Sequence, residues 1–268
     1  MNFLNIEKML LKKKFYLKHY ENIDSTMIEI KNIFNKKKDK YFIIADSQNR
    51  GLGRRGRKWH SPKGNVYFSL IKKMSVKTED HFIYNAAATL SICEIIDSVC
   101  GIKSKIKWPN DILVNKKKIS GIITEIINHN NINFIILGVG INLISSPNIK
   151  EYKTTHINSF NKKIDRNIKI EKFIKNFFQK LDLIKKNKYN YIKIKYKKKL
   201  LYLNEIIGLE IDNKPTKISG EFMDINYDGS MIVKINGSKK LYSILSEVGG
   251  RELVGKAKEL SPGTFWVE

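Results

Sequence analysis

The chain's 268 residues suffice for one ordinary domain plus a small appended one, and 42% hydrophobic with 10% aromatic residues supply a real core. A net charge of +24 fits a polyanion binder, yet Lys outnumbers Arg 44 to 6 and is spread along the whole chain. That distribution reads as solvated lysine faces, with no membrane-length apolar run, no leader-like segment and only two cysteines, which excludes a disulfide framework and points to a reducing, cytoplasmic setting.

The first periodic element runs from Ser25 to Lys36, with Met27, Ile30 and Phe34 at helical spacing and Thr26 with Glu29 as a capping box. A short apolar strand, Tyr41 to Ala45, leads into a Gly/Arg-rich segment at 47–58, and Asn65 to Ile71 reads as the next strand. Phe82, Ala86, Cys93 and Ile96 mark a long helix that Gly101 ends. From Lys103 to Leu143 the pattern is strands and turns. Ile112–Val114 and Ile119–Ile127 flank Asn115-Lys116-Lys117, and Asn128–Asn131 leads into Phe134–Ile141. Residues 145–165 read as an irregular, mobile connection, and Phe173, Phe177, Leu181 and Ile184 as an amphipathic helix. After Glu205 short β-prone runs are punctuated by Asp228-Gly229 and Asn236-Gly237, both expected as two-residue hairpin turns. The expected organisation is a unit over 1–200, a small β module over 205–250, and a tail over 251–268 that belongs to neither.

Four of the six arginines, Arg50, Arg54, Arg55 and Arg57, fall within eight residues. In a chain that uses Lys by default, the cluster suggests a need for the planar guanidinium, which grips phosphate or carboxylate through two N–H groups. The same segment, Gly51-Leu52-Gly53-Arg54-Arg55-Gly56, matches a dinucleotide fingerprint, but Pro62 and Gly64 block the helix that fingerprint needs. What remains is a loop whose backbone approaches a ligand closely, or a plain surface hairpin.

Lys107-Trp108-Pro109-Asn110-Asp111 is the second unusual string; Pro109 stiffens it and presents Asn110 and Asp111 as donor and acceptor, although such a turn is also common without function. Lys118, before Ile119-Ser120-Gly121, is either an outward surface lysine or an inward cation that needs an anion. Asp24-Ser25-Thr26 serves helix capping, ligand hydrogen bonding, or both. Gly138-Val139-Gly140-Ile141-Asn142 ends a buried strand with glycines that permit close approach, or that mark a bulge.

Taken in order, these strings resemble the biotin protein ligases, over roughly residues 20–250. Asp24-Ser25-Thr26, Gln48, the loop from Gly51 to Trp59, Lys107 to Asp111, Lys118 with Gly121, and Gly138 to Asn142 carry the resemblance. It implies an α+β fold: a mixed-sheet catalytic domain related to class II tRNA synthetases, plus a small SH3-like β-barrel C-terminal domain. It implies ATP, biotin and Mg²⁺, with biotinyl-5′-AMP as intermediate, and as partner the biotin carboxyl carrier protein of acetyl-CoA carboxylase. By the same resemblance Ser25, Thr26, Gln48, Leu52, Gly53, Arg54 and Lys118 bind biotin. Gly51, Arg54, Arg55, Arg57, Trp59, Asn110, Lys118 and Asn142 bind the adenylate. Lys118, Arg54, Lys107 and Asp111 carry the catalysis, and no protein ligand set is assigned to the metal.

The sequence departs from the family in two places: Leu52 stands where many members carry Arg, and Met27 follows Ser-Thr where Asn is usual. A lipoyl or octanoyl ligase or transferase of the related fold is the alternative enzyme. A nucleic-acid-binding module is the alternative without chemistry, and it leaves the arginine cluster, Lys118 and the Ser-Thr pair without a shared purpose. The segment before Asp24 is too short for a DNA-reading three-helix domain, so neither specific DNA nor membrane is expected as a partner. The oligomeric state stays open, a homodimer included.

Overall fold

The computed structural model describes residues 3–34, 39–160, 166–211, 217–242 and 263–266. In chain order these form α1 (Leu4–Leu11), β1 (Tyr16–Ile23), α2 (Thr26–Ile33), β2 (Tyr41–Gln48), β3 (Val66–Lys73) and α3 (Phe82–Cys100). Next come β4 (Lys105–Lys107), β5 (Asp111–Val114), β6 (Lys117–His129), β7 (Ile132–Ile141), α4 (Arg166–Lys185) and α5 (Tyr189–Lys199). The last strands are β8 (Ile206–Ile211), β9 (Lys217–Ile225), β10 (Met231–Ile235), β11 (Ser238–Tyr242) and β12 (Gly263–Trp266).

A seven-stranded mixed sheet in the order β1-β2-β3-β7-β6-β5-β4 forms the body, with β1 parallel to β2 and every other neighbour antiparallel. The central strands are covered on both faces and so are written as continuous apolar runs, such as Phe42-Ile43-Ile44-Ala45. Alternation still divides them: Phe42 and Ile44 face a core built with α1, α3, α4 and α5, while Tyr41 and Ile43 face a smaller core with Met27 and Ile30 of α2. Phe173 of α4 packs on Phe68 of β3 with ring centroids 4.7 Å apart, which fixes the helix against the sheet. The α+β class and the mixed sheet follow from this arrangement.

The second sheet is antiparallel throughout, in the order β11-β10-β9-β8-β12. It draws β12 from the segment set aside as a tail; residues 251–262, 267 and 268 lie outside the described residues.

Three hairpin turns were legible in the sequence for a backbone reason. Asn115-Lys116, Asn130-Asn131 and Asn236-Gly237 each hold two consecutive positive φ angles, the twist-compatible turn that Asn and Gly adopt with least strain. Asp228-Gly229 differs: Ile225 pairs with Met231, so residues 226–230 make a five-residue loop in which Asp228 Oδ1 accepts from the Ser230 N–H at 2.8 Å. The cap of α2 also differs. Ser25 Oγ accepts from the Met27 N–H, and Glu29 is drawn away to the Tyr20 hydroxyl at 2.6 Å, so no Thr26–Glu29 box forms.

Sequence periodicity missed α1, β1, β4 and α5. In α5 only Ile192 and Tyr196 are buried on a lysine-rich helix, a stripe too narrow to register. Residues 145–160 are irregular as expected, but they are tied down: Lys118 N–H donates to Lys153 O and Thr155 N–H to Lys118 O, both at 2.9 Å. Residues 161–165 lie outside the described residues. Contrary to the sequence reading, α3 with the turn before it is long and apolar enough to cross a membrane, yet 78% of its apolar window is buried inside the fold.

Candidate active site

The cleft opens where the C-terminal end of β2, the N-terminus of α2, the 51–61 loop and the cavity faces of β6 and β7 meet, and encloses about 440 Å³ including its mouth. Its room comes from glycine. Gly121 and Gly140 are paired across β6 and β7, and a Cβ on Gly140 would overlap the Trp59 indole that lies on them. Two residues on, a Cβ at Gly138 would stand 2.5 Å from the Met27 sulfur. The glycines of the Gly-Val-Gly run therefore make a shelf on which one aromatic and one thioether side chain rest.

One end of the cleft is neutral. Gln48 Oε1 accepts from the Thr26 backbone N–H at 2.8 Å and from its hydroxyl at 3.1 Å, and Gln48 Nε2 donates to Ser61 Oγ at 2.9 Å. Ser69 Oγ donates to Thr26 Oγ1 at 2.8 Å from the sheet below. Ser25 and Thr26 are both buried and line the cleft. The net holds the Gln48 amide in one orientation, which is what reading a polar, uncharged ligand edge requires.

The other end is charged. Lys118 Nζ meets Asp111 Oδ2 at 2.8 Å and lies 5.3 Å from the ring centroids of both Trp59 and Tyr152. Asn110 Nδ2 donates to Ile122 O at 2.7 Å, while its Oδ1 accepts from Arg54 at 3.4 Å. A bulge explains why Lys118 points inward. Ile112 pairs with Ser120 but Leu113 with Lys118, so Ile119 is an extra residue on β6. Without it Lys118 and Gly121 would face opposite sides of the strand; with it both line the cleft.

The 51–61 loop is hydrogen-bonded across itself. Trp59 N–H donates to Gly51 O at 2.8 Å and Gly53 N–H to Arg57 O at 2.6 Å, and Arg54–Gly56 forms a single 3₁₀ turn. Arg50, outside the cleft, pairs with Asp24 and holds its carboxyl below the usual range. The buried Trp59 indole N–H has no acceptor among the described residues and lies against Gly140.

Of the residues singled out from the sequence, Ser25, Thr26, Gln48, Leu52, Gly53, Arg54, Trp59, Asn110, Asp111 and Lys118 line this one cleft. Five do not. Gly51 lies beneath the loop, where a Cβ would stand 2.5 Å from Ser61 Oγ and Trp59 O. Arg57 is exposed outside the wall, and the Arg55 side chain lies outside the described residues. Lys107 sits behind Asp111, and burial first, then Lys118 and Arg57, hold its pKa below the usual lysine range against the pull of Asp111. Asn142 is buried and donates to Thr155 O at 3.1 Å, anchoring the 145–160 segment.

Sequence reasoning overlooked Ser61 and Ser69, which complete the neutral net, and Ile122, Ile123 and Val139, which supply apolar wall. Met27 was read as a helix-face residue and as a departure, not as cleft wall. Ser61 is 13 residues from Gln48 and Ser69 is 43 from Thr26, so neither leaves a linear signal; only the folded chain puts them on one network.

Residues 20–142 match the biotin/lipoate A/B protein ligase family. The chain belongs to that family. It is 31% identical over 219 residues to the bifunctional ligase/repressor BirA of Bacillus subtilis, covering 77% of this chain and 66% of that protein. It is 30% identical over 127 residues to a biotin–[acetyl-CoA-carboxylase] ligase of Paracoccus denitrificans, covering 46% of this chain and 53% of that protein. The chain thus spans about two thirds or less of the length of these relatives. Among solved structures, the biotin protein ligase of Aquifex aeolicus in complex with biotin and ATP superposes with a TM-score of 0.70 at 26% identity, covering 85% of this chain and 95% of that one.

Proposed function

We propose that this member of the family is an ATP-dependent biotin protein ligase, and one observation carries the reading: a single cleft joins a fixed neutral hydrogen-bond net at one end to Lys118 and Arg54 at the other. Biotin has that polarity, a neutral ureido ring and a carboxylate on a short chain. Ser25, Thr26 and Gln48 take the ring, Leu52 and Ile123 the apolar middle, and Lys118 the carboxylate. Trp59, Gly53, Asn110 and Arg54 wall the nucleotide.

A biotin carboxylate oxygen bonds to the α-phosphorus of ATP, the bond to the bridging oxygen breaks, and pyrophosphate leaves with the electron pair. A lysine amine of the carrier protein then bonds to the acyl carbon, and AMP leaves as the amine sheds its proton. Lys118 opposes the negative charge gathered in the first step. We read Asp111 as what keeps Lys118 placed until an anion arrives. The described residues hold no group of three carboxylate, His or Cys side chains that fits a resident metal, and Asp111 is already paired. Mg²⁺ therefore comes with the ATP phosphates in this proposal. The carrier is taken to be the biotin carboxyl carrier protein of acetyl-CoA carboxylase, in line with the name of the Paracoccus relative. The five-stranded sheet is read as the SH3-like module of such ligases.

The deciding experiment supplies ATP and Mg²⁺ with biotin or with lipoate and follows pyrophosphate. Release with biotin alone is expected. Release with lipoate alone returns the lipoyl-ligase reading, and release with neither rejects the enzyme.

A further inference from the structure

The charged end of the cleft hangs from the turn Trp108-Pro109, and that turn is held from behind by groups outside the cleft. Trp108 Nε1 donates at 2.8 Å to Gly229 O, in the 226–230 loop of the five-stranded sheet. Tyr196 of α5 donates its hydroxyl to Pro109 O at 2.7 Å. Both bonds are buried. Phe82 closes the circuit: its ring packs edge-on against Tyr196 at 5.3 Å, and it lies so close under Gly229 that a Cβ there would overlap it. Gly229 also has φ +85°, so no other residue brings its carbonyl to Trp108 without strain.

We infer that the 226–230 loop, acting through Trp108, is a positioning element for Asn110 and Asp111, so that the second sheet sets the charged end of the cleft. The inference rests on the ligase reading. Its physical basis is a lever of one residue. Asn110 and Asp111 follow Pro109 directly; Asn110 holds Arg54 and Ile122, and Asp111 holds Lys118. A turn released from Gly229 and Tyr196 moves two cations at once. The neutral end hangs from β2, α2, β3 and Ser61 of the 51–61 loop, and none of the bonds of its net runs to Trp108, Pro109 or Gly229. Catalysis and binding of the biotin ring should therefore separate when the circuit is cut, because a displacement of about 1 Å at reacting groups costs up to about 10²-fold in rate.

The test uses the full chain with Tyr196→Phe, which keeps the ring and removes the hydroxyl donor, and, independently, Trp108→Phe, which puts a smaller aromatic ring without a donor in place of the indole. Tyr227→Phe is the control, because it removes a bond from the same loop to Asn190 at 3.0 Å on the exposed side. Pyrophosphate release at saturating biotin and ATP should fall about 5- to 50-fold in the first two variants and stay within twofold in the control. The Kd of biotinamide, which keeps the ring but carries no carboxylate for Lys118, should stay within twofold in all three by calorimetry. Unchanged release in Trp108→Phe and Tyr196→Phe overturns the inference, as does a parallel loss of biotinamide affinity, which marks general loosening. If one of the two fails to fold, the other decides. A wild-type chain that binds biotin but releases no pyrophosphate rejects the ligase reading itself, and this inference with it.

Discussion

The two ends of the cleft are built on opposite principles. At the neutral end Thr26, Gln48, Ser61 and Ser69 satisfy one another, so the ligand-reading atoms are locked by bonds among uncharged groups. At the charged end Lys118 leans on Asp111 and Arg54 on Asn110, and each partner can be exchanged for a ligand anion. The difference separates recognition from chemistry. A rigid neutral net discriminates shape, whereas cations parked on short, breakable contacts are ready where charge develops.

The largest expected break lies at the charged end. Lys118→Ala should fold normally and lose about 10²–10³ in the rate of pyrophosphate release at saturating substrates. Circular dichroism checks the fold and a coupled phosphate assay the rate; a rate near wild type would remove Lys118 from the chemistry.

A smaller effect, of a different kind, is expected at the neutral end. Thr26→Val leaves Ser69 Oγ without its acceptor and removes one of the two Thr26 donors to Gln48. Neutral hydrogen bonds of this sort contribute about 1–2 kcal/mol, so biotin should bind roughly 5- to 30-fold more weakly with kcat close to wild type. If kcat falls and the Kd holds, the two ends are not separate in function.

The third prediction concerns stability and uses a buried lysine outside the cleft. Lys72 of β3 donates to its neighbour's carbonyl, Lys73 O, at 2.6 Å and lies over the Tyr84 ring at 4.7 Å, where Lys118 has a carboxylate. Burial first, then repulsion from Lys185 and Lys40, brings its pKa from 10.5 down to about 8, with Asp39 offsetting part. Between pH 8 and 10.5 the unfolded chain therefore binds more protons at this site, and stability rises with pH. Below pH 8 the full penalty of a buried ammonium is present. Lys72→Met should flatten that rise and stabilise the protein at pH 7 by at most about 3 kcal/mol. Urea unfolding at pH 7 and pH 10 measures both, and an unaltered pH slope would show that Lys72 does not control it.

Much of the fold was legible because its signals are local. Turns with Asn at positive φ, Gly101 ending α3 at φ +66°, and the stripe of Phe173, Phe177, Leu181 and Ile184 each depend on neighbours within a few residues. The edge strand escaped because β1 is exposed along much of its length, and the first helix because α1 is only 8 residues long and buries just Ile6 and Leu10. Asp228-Gly229 misled for the same reason, since the pair makes a turn but cannot announce the length of the loop around it.

The sequence by itself determined which groups exist for the chemistry: the arginine-rich loop, the Lys107–Asp111 string, Lys118, and glycines spaced two apart on one strand face. Tertiary structure alone decided how they are used. The extra residue Ile119 turns Lys118 inward, pairing across the sheet places Gly140 opposite Gly121 beneath Trp59, and a loop more than a hundred residues downstream of Trp108 receives its N–H. The physical reason is one of range. Backbone preference is written within a few residues, whereas the face a side chain takes and the partner it meets depend on strands that reach one another only when the sheet closes.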